Sequence, residues 1–305
     1  MSGARAIAIA TDTPGWHGRR LARAFATLGL ETRVVSLGQC RVDLEANRWG
    51  IVMPGFENAL PDGVLVREIA AGSFEQVTLR LGLLHALAEW GIPVCNSARA
   101  VERTVDKSMT SMLLRHAGIS TPPTWVTESV AQARAILMRE TAAGHRVVLK
   151  PLFGSQGKGL LRLGVGDSLP DPATVQGVYY LQRFVEPAAD GGRDYRVFVI
   201  GGRSVAAMTR QGADWVHNVA LGARCDAVAL EADLCRLAER AVAAVGADYA
   251  GVDLMRTADG TPLVIEVNGI PAWKGLQSVS TEDIAQRLAR HFHDRHLALA
   301  HSAAR

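Results

Sequence analysis

The chain of 305 residues has only four cysteines, Cys40, Cys95, Cys225 and Cys235, and no two are spaced C-x-x-C. That spacing excludes the paired-thiolate zinc motifs and the disulfide framework of a small secreted domain, and it fits a reduced, intracellular protein. Long apolar runs are also missing. Ala6-Ile7-Ala8-Ile9-Ala10 is too short for a signal-peptide core or a membrane span. Charge of one sign is scarce: 33 Lys and Arg face 30 Asp and Glu, a formal balance of +3, with nothing denser than Arg19-Arg20. A solvated surface explains that better than a nucleic-acid-binding face. No repeat or low-complexity block appears. The nucleotide motifs are absent too. A P-loop needs G-x-x-x-x-G-K-[ST], but Lys158 precedes Gly159, and the dinucleotide fingerprint lacks its spacing and following helix. A cytoplasmic protein with no membrane or nucleic-acid partner is expected, with room for two or three domains of about 100–150 residues.

What is present is a regular alternation. Residues 6–10 read as a buried strand, Leu21, Phe25 and Leu28 as one face of a helix stopped by Gly29, and 32–37 and 50–53 as the second and third strands. Residues 75–90 form a periodic helix ending at Gly91, and 92–95 a fourth strand. This order predicts a parallel sheet with crossover helices. Helices follow over 106–116 and 129–141, then strands over 146–150, 160–163 and 178–185 around the loop Phe153-Gly-Ser-Gln-Gly-Lys-Gly159. A hairpin turns at Gly201-Gly202, a helix covers 231–246, a second hairpin joins 249–256 to 262–268, and a last helix covers 282–297.

The second hairpin carries the sharpest signal. Asp259-Gly260 is a favoured two-residue turn. With that loop, Asp253 lies opposite Glu266, their Cβ atoms about 5 Å apart, and Asn268 faces the same side. Opposed carboxylates among Val252, Leu254, Val264 and Ile265 repel unless a cation neutralises them. Three oxygen donors suit Mg²⁺. The alternative is a pair of exposed strand carboxylates that meet nothing. Lys150 ends an apolar strand just before the glycine-rich loop, whose backbone N–H groups can approach phosphate closely; a turn of small residues is the bland reading. Asp106 suits a helix N-cap, which would leave Lys107 solvated. Arg196 and Arg210, taken singly, read as structural or solvated.

Together these segments resemble the ATP-grasp superfamily, and within it the RimK-like glutamate ligases. The matching stretches run in family order: Val105-Asp106-Lys107, Val147-Val148-Leu149-Lys150-Pro151, the loop Gly154–Gly159, Leu181-Gln182-Arg183-Phe184-Val185, Asp194-Tyr195-Arg196, Ala250-Gly251-Val252-Asp253 and Ile265-Glu266-Val267-Asn268. The resemblance implies an α/β (α+β ATP-grasp) fold. Residues 1–95 would form a pre-ATP-grasp domain built on a parallel sheet. Residues 96–185 would form a central lid subdomain with the Gly-rich loop, and 186–305 a subdomain with the Mg²⁺-binding hairpin. The last two would clasp ATP.

The family's roles carry over as follows. Lys107 and Lys150 would contact ATP phosphates, under a loop that includes Gly154, Ser155, Gln156, Gly157 and Gly159. Gln182, Arg183, Phe184 and Val185 would form the adenine hinge, and Asp194 would bind ribose. Asp253, Glu266 and Asn268 would hold two Mg²⁺, with Mn²⁺ as the alternative ion. Arg196, Arg210 and Asn218 would stabilise the transferring phosphoryl group. The chain departs from the pattern at Arg183, where the hinge usually has an acid. It departs again at Val216-His217-Asn218, where Arg-Ser-Asn is frequent, and at Gly269-Ile-Pro-Ala-Trp273, where Ala-Ser-Pro-Gly is.

These roles imply a carboxylate–amine ligase working through an acyl phosphate, acting on small molecules as a monomer or a homo-oligomer (dimer or tetramer). Trp16, His17, Arg67 and Arg80 would line the acceptor side, where positive charge suits an anionic cofactor such as a pterin-type one-carbon carrier receiving L-glutamate. Core or surface placement is the alternative for each of the four. The rival functions are a ligase for another pair, giving a dipeptide or a glutathione-like product, and a nucleotide sensor that has lost catalysis.

Overall fold

The computed structural model describes residues 5–154, 157–186, 194–212, 215 and 223–298. The first unit comprises β1 (Ala6–Ala10), α1 (Gly15–Ala26), β2 (Glu31–Val35), β3 (Arg41–Val42), β4 (Ile51–Val52), β5 (Gly63–Val66), α2 (Phe74–Glu89) and β6 (Val94–Cys95). Its parallel sheet runs β2-β1-β5-β6. β1 and β5 are continuous apolar runs because helices cover both faces of a parallel sheet. The expected third strand over 50–53 is not part of this sheet. β4 pairs antiparallel with β3 in a separate ribbon, and β5 takes the place beside β1. Gly63 admits the closing helix, since a Cβ there would stand 2.6 Å from Cζ of Phe292.

Two helices follow, α3 (Ala98–Val105) and α4 (Lys107–His116). Asp106 caps α4 by accepting from the N–H groups of Ser108 and Met109. A four-stranded sheet comes next, from β7 (Thr124–Thr127), β8 (Val147–Lys150), β9 (Leu161–Leu163) and β10 (Tyr179–Arg183) in the order β7-β10-β8-β9, with α5 (Val130–Ala142) packed on it. The last sheet runs β13-β12-β11-β14-β15. Its strands are β11 (Asp194–Ile200), β12 (Arg203–Gln211), β13 (Arg224–Ala227), β14 (Tyr249–Arg256) and β15 (Pro262–Asn268). The helix α6 (Ala232–Val245) covers one face. The chain then forms α7 (Lys274–Val279) and α8 (Ile284–Phe292), and α8 runs on as a π-helical turn over His293–Leu297.

Packing groups these pieces differently from their order in the sequence. Leu114, on α4, sits in the core of α6 and the five-stranded sheet, although residues 96–185 were expected to go with the lid. α8 folds back onto α1, and one core unites Ile7, Leu21 and Phe25 with Phe198, Tyr249, Trp273 and Leu288.

A single buried side chain ties these parts at the backbone. The Asn96 amide donates to the carbonyls of Tyr249 and Gly269 at 2.7 and 2.6 Å, and its oxygen accepts from the N–H groups of Asp248 and Tyr249. Asn96→Ala strands these buried backbone groups, each costing about 1–3 kcal/mol. A loss of at least about 3 kcal/mol is therefore expected in denaturant unfolding, and a midpoint within error of the parent would refute this role.

Candidate active site

The β14–β15 hairpin places the carboxylates as expected, but by a different route. The loop is longer than two residues: Arg256 pairs with Pro262, Met255 with Leu263 and Leu254 with Val264. A bulge at Ile265 then shifts the register by one, so that Asp253 opposes Glu266 and Gly251 opposes Asn268. The longer loop and the bulge cancel. Asn268 Nδ2 lies 3.5 Å from Asp253 Oδ2, on the same face.

Two neighbouring strands bring cations to this face. Register sets Arg196 opposite Asp253 and Asp194 opposite Arg210. Arg196 donates through Nε and Nη2 to the two Asp253 oxygens, both at 2.7 Å. Arg210 donates likewise to Asp194 at 2.9 and 2.8 Å, and its Nη2 also stands 3.2 Å from Asp253 Oδ2. The result is an alternating row of Asp194, Arg210, Asp253 and Arg196. Asp253 is only 7% exposed. Burial pushes its carboxyl up, and the two guanidinium groups outweigh that and hold it below the usual range.

The facing wall comes from α4 and the four-stranded sheet. Lys107 is not solvated: its Nζ donates to the carbonyl of Gly154 at 2.8 Å and lies 3.8 Å from Glu266. Lys150 Nζ donates to Gln182 Oε1 at 2.7 Å and lies 6.0 Å from the centre of the Tyr180 ring. Burial lowers the Lys150 ammonium to about 8; Lys107 adds to the shift, and Glu266 and Asp253 oppose it. Between the walls lies a cleft of about 1100 Å³, lined also by Gly154, Gly157, Phe184 and Val185. Gly159 packs against Pro151, its φ of +71° favouring glycine. Ser155, Gln156 and Asn218, with Val216 and His217, lie outside the described residues.

Arg183 lines the cleft, but its guanidinium is held by Glu140, a residue only 3% exposed, at 2.8–2.9 Å. Its backbone N–H donates to Pro123. The sequence reading missed Trp215, which meets Phe184 edge to face at 5.9 Å, with the Arg162 guanidinium over both rings. It also missed the Gln182 side chain as the partner of Lys150. Strand alternation carried that signal, since Tyr180 pairs with Lys150 and Gln182 is two residues on.

Of the four acceptor-side candidates, His17 and Arg67 line the cleft, whereas Trp16 and Arg80 are not among its lining. Arg80 donates to the carbonyls of Ala70 and Ala71, and Trp16 packs on the core beneath Arg20. Arg67 lies over the ring of buried Trp273, 5.2 Å from its centre. His17 Nε2 accepts from the backbone N–H of Trp273, and burial with Arg67 and Lys274 lowers the imidazole to about 4. His17 is therefore neutral near pH 7. Lys274, also lining the cleft, was not anticipated.

The sequence matches the RimK-like ATP-grasp domain over residues 104–292. The chain belongs to the RimK-like ATP-grasp family. As a member it is an ATP-binding ligase that forms C–N bonds. It is 31% identical over 308 residues to the tetrahydromethanopterin:alpha-L-glutamate ligase of Methanosarcina acetivorans, an alignment covering 88% of this chain and 92% of that protein. It is also 31% identical over 273 residues to a probable alpha-L-glutamate ligase of Vibrio cholerae, covering 88% of each. Its fold is that of the ATP-grasp ligase PsnB, solved with a minimal precursor, Mg and ADP, at a TM-score of 0.72 and 21% identity over 98% of each chain. No described helix is long and apolar enough to cross a membrane.

Two outcomes follow from this geometry. Bound polyphosphate should restore the Lys150 proton. Burial lowers its ammonium from the ordinary 10.5 to about 8. ADP affinity should therefore fall as pH rises above about 8, with uptake of up to about one proton near pH 9 and none near pH 6.5. Calorimetry in buffers of different ionisation heat measures the uptake, and Lys150→Arg should remove it. Arg183→Ala should leave ADP affinity within about twofold but lower stability by roughly 1–3 kcal/mol, because it removes a charged partner from buried Glu140. A large loss of nucleotide affinity in that variant would move its guanidinium into the binding site.

Proposed function

We propose that this chain is an ATP-dependent L-glutamate ligase that extends an anionic, pterin-type one-carbon carrier. One observation carries the ligase chemistry: Lys107, Lys150, Arg196 and Arg210 converge on Asp194, Asp253 and Glu266, four cations against three carboxylates. The excess positive charge suits a polyphosphate. Asp253, Glu266 and Asn268 form an all-oxygen donor set that fits Mg²⁺ rather than a softer ion. They would hold two ions, which when bound neutralise the phosphates; Mn²⁺ suits the same donors. Both Asp253 oxygens are engaged by arginine here. Each carboxylate oxygen has a second lone pair, so Asp253 could ligate a cation while Arg196 stays in place.

A carboxylate oxygen of the acceptor attacks the γ-phosphorus of ATP, and ADP leaves. The acyl phosphate that results has a good leaving group where the carboxylate had none. The glutamate amine then attacks the acyl carbon, loses a proton and expels phosphate, leaving an amide. Lys107 and Lys150 orient the phosphates, and Arg196 and Arg210 stabilise the charge that develops on transfer. Asn218 is assigned to the same task, Asp194 to the ribose, and Phe184, Val185 and Trp215 to the base. The pterin assignment rests on the similarity over nearly full length to the Methanosarcina ligase and on the Arg67 and Lys274 charges at the acceptor end.

Release of ADP should require L-glutamate together with a carboxylate-bearing tetrahydropterin, and the product should gain one glutamyl mass. Glu266→Ala should lower turnover at least about 10²-fold, a loss of roughly 3 kcal/mol in transition-state stabilisation, without changing the unfolding midpoint. Turnover with a dipeptide or thiol-peptide pair instead would replace the substrate assignment. Nucleotide binding without any turnover would make the protein a sensor.

A further inference from the structure

A second cluster of ligating side chains lies away from the cleft, where the first sheet, the start of β14 and the C-terminal helix meet. A Cys95 sulfur, an Asp248 carboxylate oxygen and a His296 ring nitrogen all lie within 4.8 Å of one another. His296 Nε2 is 3.4 Å from Asp248 Oδ1, and His291 Nε2 is 3.7 Å from the same oxygen. Both Nε2 atoms are buried and neither meets hydrogen-bond geometry, although an imidazole nitrogen is always a donor or an acceptor. Burial pushes the Asp248 carboxyl up, and the two imidazoles outweigh that and hold it well below its usual range. An orphaned buried polar atom is costly and calls for a reason. Here two such atoms face one carboxylate.

We propose that Cys95, Asp248, His291 and His296 form a tetrahedral site for a zinc-class divalent cation that ties the C-terminal helix to the two sheets. The ligand chemistry is the first support. Mixed sulfur, nitrogen and oxygen donors suit a borderline ion such as Zn²⁺ and disfavour Mg²⁺. Spacing is the second. Bonds of about 2.0–2.3 Å in a tetrahedron put neighbouring ligand atoms roughly 3.3–3.6 Å apart, close to the separations from Asp248. His291, whose Nε2 stands 3.7 Å from the same Asp248 oxygen, would supply the fourth ligand.

The backbone provides for the arrangement. In an α-helix residues i and i+5 point well apart, but the π-helical winding of His293–Leu297 widens the turn and brings His296 round toward His291. Asn96, next to Cys95, accepts from the Asp248 N–H at 2.6 Å and so fixes that residue beside the thiol. Gly201 donates its N–H to the Asp248 carbonyl and leaves room for the imidazole, since a Cβ there would stand 2.7 Å from His291 Nδ1. Burial and Asp248 raise the Cys95 thiol well above its usual range, so the proton must leave when the metal enters. Cys95 does not line the nucleotide cleft, so the site is distinct from the Asp253, Glu266 and Asn268 donors.

The test uses the full chain without a histidine tag, loaded with zinc alone and desalted. One zinc per chain by elemental analysis is expected, with a Tm that rises with zinc concentration. Cobalt in its place should give a thiolate charge-transfer band. Cys95→Ser should abolish that band. His296→Gln and His291→Gln should lower zinc affinity at least about tenfold and flatten the Tm response, and Glu266→Gln should keep the zinc. Less than about one tenth of an equivalent on the parent chain, or zinc lost from Glu266→Gln and retained by His296→Gln, overturns the site. If Cys95→Ser fails to fold, the two histidine variants decide the question.

Discussion

Asp253 is a carboxylate removed from water, and its charge can persist there only because arginines meet both of its oxygens. An unpaired buried charge costs several kcal/mol. Much of the five-stranded sheet can be read as the means of meeting that demand. Arg196 and Arg210 must arrive from β11 and β12 in register, so the Gly201-Gly202 hairpin and the pairing of β11 with β14 are fixed together. Arg210 is in turn shared with Asp194. Removing one member leaves its neighbours unbalanced, so the row behaves as a unit rather than as independent pairs.

This row also alters the physical case for a metal. From the sequence, two opposed carboxylates call for a cation, and Mg²⁺ answers. In the folded chain Asp253 is balanced by arginines, and Glu266 has Lys107 at 3.8 Å. Repulsion alone therefore does not call for an ion. What calls for it is the substrate: a polyphosphate adds more negative charge than the spare positive charge covers. The chain's own cations balance these carboxylates, and under the proposed mechanism the same groups would serve phosphoryl transfer.

The sequence revealed local pairings well and long-range ones poorly. The strands of the β14–β15 hairpin run over the expected residues, because alternation and a turn signal lie within one short stretch. The Asp253–Glu266 juxtaposition was right although the two-residue loop behind it was not; the compensating bulge at Ile265 has no mark in the sequence. Gly63–Val66 escaped notice, and residues 50–53 took its place, since both are short apolar runs and only pairing with β1 tells them apart. Lys107 could not be separated from a solvated lysine until α4 was seen packed against the cleft. Arg183, conspicuous for replacing an acid, turned out to answer a buried Glu140 on α5, a partner that no local pattern indicates.

The packing also decides which parts move together. The first sheet and the five-stranded sheet share one core through α1, α8 and Trp273, with Asn96 bonding backbone across their junction. The four-stranded sheet has a core of its own, built from Leu137, Val147, Leu149, Tyr179 and Leu181. Among the described residues, its ties to the rest near the cleft include polar ones, such as Ser111 to Tyr180 and Lys107 to the carbonyl of Gly154. Two bodies with separate cores joined through polar ties can move relative to each other at far less cost than unfolding either. Lys150 rides on the small sheet, whereas Asp253 and Glu266 belong to the large body. Under the proposed mechanism, a nucleotide that touched all three would draw the bodies together, and closure would keep water from the acyl phosphate.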